Sequence, residues 1–139
     1  MTDRPLNIIH VCDHLGWTGS RMHGVKRLFA WMIPRFDRRR FNVSLISLRK
    51  RDLSADTLDE LGIDVAYLHR SRFDPATLPA LLKEIDRRKA DVLHLHGYGA
   101  SSLSATFWNQ GVSVRLACSW STTGMPRIAA ASRPKVVAP

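Results

Sequence analysis

Hydrophobic and polar positions follow two different periods along the chain, and the period changes several times. Short apolar runs predict five strands: LNIIHVC (6–12), FNVSLISL (41–48), IDVAYLH (63–69), DVLHLHGYGA, which breaks into a glycine loop, and VSVRLAC (112–118). Apolar residues three and four positions apart predict helices at 24–36, at 56–61, from 74 onwards and at 100–109. Strand and helix patterns therefore alternate along most of the chain.

Two of the predicted helices have a clear apolar face. The first is expected to bury Val25, Leu28, Phe29, Met32, Ile33 and Phe36, and the second Leu78, Leu81, Leu82 and Ile85. Pro34 falls late in the first helix, where it removes one N–H group and blocks the carbonyl of Ala30. We therefore expect the last turn of that helix to end or kink at Pro34.

The order of elements predicts an α/β fold: a Rossmann-like, mostly parallel sheet with helices on both faces. We assign residues 1–114 to this domain and residues 115–139 to a basic tail, because all 12 acidic residues precede residue 92 and the end of the chain has no clear period. Two interpretations of the tail stay open. It is either a truncated or frame-shifted continuation of the domain, or an ordinary basic tail.

The chain has 21 basic and 12 acidic residues, which gives a formal net charge of +9. Basic clusters occur at Arg35 with Arg38, Arg39 and Arg40, at Arg49-Lys50-Arg51 and at Arg87-Arg88-Lys89. Two of these clusters close predicted helices, where cations offset the negative end of the helix dipole. The alternative is contact with anionic lipid or a phosphorylated acceptor. Nucleic acid is disfavoured because aromatic residues are not interleaved with the clusters.

No run approaches the roughly 18 uninterrupted apolar residues of a membrane-spanning helix, and the first residues lack an apolar leader segment. We expect a cytoplasmic protein, with peripheral contact at the inner membrane face as the alternative. Cys12 and Cys118 stand in separate apolar strands without a CxxC partner. They are therefore predicted to be buried thiols.

A glycine-spaced segment, GWTGSRMHGVK (16–26), joins the first strand to the first helix. A Walker phosphate loop requires Lys directly after its second glycine and then Ser or Thr, but here Lys26 comes one residue late and no hydroxyl follows it. The spacing of Gly16, Gly19 and Gly24 also differs from the dinucleotide fingerprint. Two interpretations remain: a simple turn, or an anion-binding helix N-terminus at Gly24.

His94 and His96 lie two residues apart on the fourth predicted strand, so their side chains point to the same side of it. A metal site would need a third ligand, and the neighbouring sequence offers no suitably spaced Asp, Glu or Cys, so we predict no metal site. Packed, hydrogen-bonded histidines are one remaining interpretation. Polar contacts in a cleft, or proton transfer there, are the other.

Five segments in order resemble the N-terminal domain of a family 4 glycosyltransferase: LNIIHVCDHL, the glycine loop, HGVKRLFAWMIPRFDRRRFNVSLISL, LGIDVAYLH and KADVLHLHGYGAS. The resemblance covers about residues 6–114, and DVLHLHG with the upstream HGV is its most specific part. It implies the N-terminal half of a GT-B architecture. In that family the sugar acceptor binds mainly to the first domain and the nucleotide-sugar donor, a co-substrate, mainly to the second. No other cofactor is implied.

The resemblance also implies roles for particular residues. His94, His96 and Gly97 would line the acceptor cleft, while Gly24, with His23 in place of the family's second glycine, would contact the donor phosphate or another anion. The family's histidine after the next strand is absent, since Cys118-Ser119-Trp120-Ser121 stands there. We therefore assign no catalytic residue, and we expect the chain to be inactive without a donor-binding domain.

Two other function classes stay open beside this retaining glycosyltransferase. One is a self-contained α/β binding or regulatory domain, and the other is a basic module that binds lipid or nucleic acid.

Within the cleft we expect His96 to meet the ligand first, because it is nearer the end of the strand and adjoins Gly97-Tyr98-Gly99. His94, deeper by two residues, is expected to act mainly through packing.

Overall fold

The computed structural model describes residues 4–16, 24–51, 56–71, 73–97, 100, 103, 115–118 and 128–129. Its strands are β1 (Leu6–Cys12), β2 (Phe41–Ser47), β3 (Val65–Tyr67), β4 (Val92–His96), β5 (Arg115–Cys118) and β6 (Ile128–Ala129). Its helices are α1 (Gly24–Met32), α2 (Asp56–Glu60) and α3 (Thr77–Arg87). Strands and helices alternate up to β4, as the periodicity predicts.

One sheet contains all six strands in the order β3-β2-β1-β4-β5-β6. The first five are parallel, and β6 runs antiparallel to β5. This is the strand order of a Rossmann-like domain, and it reverses direction between β1 and β4. The predicted fold class is therefore confirmed.

The sheet face under α3 holds a mainly apolar core. Alternate residues of the two central strands point to this core, namely Ile9 and Val11 from β1 and Leu93 and Leu95 from β4. They pack with Leu81 and Ile85 of α3. Leu78 and Leu82 are partly buried against the same cluster. The apolar face predicted for this helix is confirmed.

The opposite face of the sheet is covered by α1 and α2. Phe29 and Ile33 pack there with Leu58 of α2, and Lys26 is also fully buried. The prediction that Val25 and Leu28 belong to the buried face is wrong, because they are 41% and 44% exposed. The spacing of Lys26, Phe29 and Ile33 also fits one side of a helix, and the sequence alone does not reveal which of two overlapping faces meets the sheet.

Pro34 acts as expected on the end of the first helix. The α-helix stops at Met32, and residues Ile33–Arg35 form a single 3₁₀ turn in which the N–H of Phe36 donates to the carbonyl of Ile33 at 3.2 Å. The predicted third strand is shorter than its apolar run, since only Val65–Tyr67 pair with β2.

Two strands lie beyond the predicted domain boundary at residue 114. Parallel pairing joins β5 to β4, and β6 pairs with β5. The described residues of the predicted tail therefore extend the sheet. The helix predicted at 100–109 lies outside the described residues except for Ala100 and Leu103.

Several arginines of the basic clusters form intramolecular ion pairs. Arg51 pairs with Asp59, Arg87 with Glu84, and Arg88 with both Glu84 and Asp64. The exposed arginines Arg51 and Arg87 gain at most about 1 kcal/mol from their pairs, whereas the side chain of Arg88 is largely buried. The pairs nevertheless give part of the basic charge an internal partner. Among the described residues, no helix combines the length and the apolar character needed to cross a membrane.

Candidate functional site

The carboxyl ends of β1 and β4 meet at the centre of the sheet. Their last residues, Cys12 and His96, are register partners, and the strand order reverses between these two strands. The chain leaves β1 towards α1 on one face, and it leaves β4 through Gly97. In open parallel sheets the crevice at such a reversal is where ligands bind. The structure thus places His94, His96 and Gly97 beside a candidate ligand site.

Strand alternation decides which face the two histidines use. Leu93 and Leu95 point into the apolar core under α3, so His94 and His96 point to the face that α1 covers. His10 of β1 is the register partner of His94, and its neighbours Ile9 and Val11 belong to the core under α3. Three imidazoles therefore share one face of two adjacent strands.

The three rings form a compact cluster, in which one ring nitrogen from each lies within 4.8 Å of the others. Nδ1 of His10 and Nε2 of His96 are 2.7 Å apart, a hydrogen bond whose donor depends on the tautomers. The centroids of the His94 and His96 rings are 4.0 Å apart, and Phe29 of α1 meets His96 edge to face at 4.9 Å. Helix α1 thus closes one side of the cluster.

Burial keeps these imidazoles neutral. It lowers the pKa of His10 to about 4, with a smaller contribution from His94. It lowers the pKa of His96 to about 3, with further contributions from His94 and His10, and it also lowers the pKa of His94. Removing an imidazolium ion from water is costly, so the neutral form dominates at pH 7. The cluster can therefore accept or donate hydrogen bonds and offer nitrogen lone pairs.

Exposure along β4 runs opposite to our expectation. His96 is only 7% exposed, whereas His94 is half-buried. The prediction that His94 is the deeper of the two is wrong. Phe29 of α1 packs on His96 and helps to bury it. Because Phe29 is far from His96 in the sequence, the residues around His96 do not predict this cover.

The two glycines assigned to the site differ in conformation. Gly97 directly follows β4 with φ at 77°, a left-handed conformation that other residues adopt only at a cost. Gly24 is the first residue of α1, and a Cβ atom built there would meet no atom of the described residues within 4 Å. Within that part of the chain, the start of α1 leaves room for a close approach. His23 lies outside the described residues.

Sequence reasoning missed His10 as a site residue. The alternation in LNIIHVC does place it opposite Ile9 and Val11, but its nearest imidazole partners are more than 80 positions away in the chain. Cys12 lies on the same strand and is buried, as predicted. Burial raises the pKa of its thiol, whose Sγ lies 3.8 Å from the carbonyl oxygen of Ile46. Cys12 therefore stays protonated and is a poor metal ligand.

A cavity of about 400 Å³ lies at the opposite, amino-terminal edge of the sheet, lined by residues that include Arg4, Asn42 and Asp64. Nearby, the guanidinium of Arg4 donates two hydrogen bonds to Asp91, at 2.7 and 2.8 Å. This ion pair joins the start of the chain to the start of β4. None of the three histidines lines this cavity.

Together these observations define a Rossmann-like α/β domain whose candidate ligand site lies at the reversal of strand order, beside a cluster of three histidines. Comparisons of the chain with protein-family models, with curated proteins and with solved structures found no match.

Proposed function

We propose that this chain is the acceptor-binding domain of a retaining glycosyltransferase that uses a nucleotide-sugar donor. The observation that carries the proposal is the position of DVLHLHG. This segment supplies β4 and Gly97, and it ends at the reversal of strand order, where a Rossmann-like domain receives its ligand. The sugar chemistry rests on the resemblance of the segments from LNIIHVC to HLHG to family 4 glycosyltransferases.

Neutral imidazoles suit the binding of sugar hydroxyl groups. His94 is half-buried and stands next to the buried His10–His96 pair, so it can present a donor or an acceptor nitrogen to a hydroxyl group. The N-terminus of α1 at Gly24 would favour the anionic part of a ligand, because its N–H groups and the helix dipole attract negative charge. The proposal assigns the donor to a second domain, and sugar transfer would take place between the two domains.

Ligand titration of the ¹⁵N-labelled chain tests this assignment. Glucose, galactose, mannose and N-acetylglucosamine are the acceptor probes, and uridine diphosphate is the anion probe. At least one sugar is expected to shift the amide signals of His96 and Gly97, while Gly62 and Lys89 serve as controls far from the cluster. Shifts confined to residues around the amino-edge cavity, or no shifts with any sugar, would contradict the proposal.

Transfer activity needs the donor domain, so the DNA beyond codon 139 provides a second test. A downstream sequence that encodes a second Rossmann-like domain should, when co-expressed with this chain, support transfer from a labelled nucleotide sugar. If the chain binds sugars but no such sequence follows, a self-contained binding domain becomes the better interpretation.

A further inference from the structure

We propose that His10, His94 and His96 form a transition-metal site of the kind that binds Zn²⁺. The two strands and their register bring the three imidazoles together, with one ring nitrogen from each within 4.8 Å of the others. The site goes beyond the proposed sugar-binding function and does not depend on it.

The donor set indicates the class of metal. Three imidazoles without a carboxylate or a thiolate in the group suit Zn²⁺ and neighbouring transition ions, whereas Mg²⁺ and Ca²⁺ prefer oxygen ligands. Three histidines with a fourth position for water or substrate form a known type of zinc site. The half-buried His94 leaves this cluster accessible from one side.

Small side-chain movements would bring the nitrogens to coordination distance. Zn–N bonds of about 2.0–2.1 Å in a tetrahedral site place ligand nitrogens about 3.4 Å apart. The nitrogens of His10 and His96, now 2.7 Å apart, would separate by less than 1 Å, and no pair of ligand nitrogens starts more than 4.8 Å apart. Both strands are held by neighbours on each side, so imidazole rotation would supply this change without altering the sheet.

A second observation is independent of these distances. Nε2 of His10 is buried and has no hydrogen-bond partner in the described part of the chain. Buried polar atoms are nearly always paired, and an unpaired one costs about 1–3 kcal/mol. A metal held by Nδ1 would leave Nε2 as an N–H group, whereas a metal held by Nε2 would give this buried nitrogen a partner directly.

Metal titration of the full chain, stripped with EDTA and dialysed, tests the site. We expect one equivalent of Co²⁺ to bind and produce the intense visible absorption of tetrahedral coordination, which Zn²⁺ then abolishes by displacing it. The variants His10→Asn, His94→Asn and His96→Asn should each weaken Zn²⁺ binding about tenfold or more in calorimetry. The matched control is His69→Asn, because His69 is exposed and asparagine tolerates its positive φ of 56°.

Imidazole ¹⁵N spectra of the wild-type chain provide a readout that does not require any variant to fold. Zn²⁺ should shift the ring nitrogens of three of the six histidines, and those three should be His10, His94 and His96. The proposal is overturned if the wild-type chain binds no Zn²⁺, if the Co²⁺ spectrum stays weak and octahedral, or if the shifted rings belong to the other histidines.

Discussion

Acidification is expected to destabilise this protein at a pH where its carboxylates are still ionised. Because burial depresses the folded-state pKa values of His10 and His96 to about 4 and about 3, the unfolded chain binds more protons than the folded one below about pH 6.5. Above the unfolded pKa the rings are neutral in both states, and the protein has its full free energy of unfolding. That free energy falls as the pH decreases from about 6.5 towards the folded-state pKa values of the two histidines.

The size of this effect follows from the proton uptake. One imidazole with an unfolded pKa of about 6.5 and no uptake in the folded state lowers the free energy of unfolding by about 1.2 kcal/mol between pH 7 and pH 5.5. Two such groups give about 2.5 kcal/mol, and His94, whose pKa is also lowered, adds to the loss. With a urea m-value of about 1–2 kcal/mol/M, the unfolding midpoint should fall by about 1–2.5 M.

Urea unfolding followed by far-UV circular dichroism at several pH values between 7 and 5.5, with EDTA present, measures the slope. Asp74, Glu84 and Asp91, whose pKa values are lowered by their arginine and backbone partners, lose their contribution only at lower pH, so this window isolates the histidines. His10→Asn and His96→Asn should each reduce the slope by about a third to a half, depending on how much His94 contributes. A free energy of unfolding that stays constant between pH 7 and 5.5 would refute the assigned burial of the cluster.

Three further predictions concern single positions. Gly97→Ala should cost about 1–2 kcal/mol in urea unfolding, because φ is 77° there while no atom of the described residues lies within 4 Å of the added Cβ. Gly24→Ala, without that strain, should be nearly neutral, and equal costs would argue against the left-handed turn. His96→Ala should lower the free energy of unfolding by about 2 kcal/mol or more, since it removes the contact with Phe29 and the hydrogen bond to His10. His94→Ala should lower it by less, and the reverse order of stabilities would show that α1 does not cover His96. Gly24→Val should weaken the binding of uridine diphosphate, measured by calorimetry, more than it lowers stability, and unchanged affinity would leave the loop a simple turn.

Much of the fold was predictable because strand and helix periods are local properties of the chain. LNIIHVC forms β1 over the predicted residues, and α1 ends just before Pro34 because a proline in the interior of a helix removes a hydrogen bond and clashes with the carbonyl four residues earlier. Leu81 and Ile85 bury the predicted side of α3. The face of α1 was less predictable, since Phe29 belongs to two overlapping sides of the helix, and only packing on the sheet buries Lys26 and leaves Val25 and Leu28 exposed.

The candidate site was predictable in part for the same reason. The spacing of His94 and His96 determined that they share a face, and the glycine after them marked the end of the strand. The sequence alone thus determined the elements, the α/β class and the two neighbouring histidines. Only the tertiary structure decided that β1 lies beside β4 in a register that pairs His10 with His94, and that α1 returns over His96. Strand order and register depend on contacts between residues more than 80 positions apart, which no local period encodes.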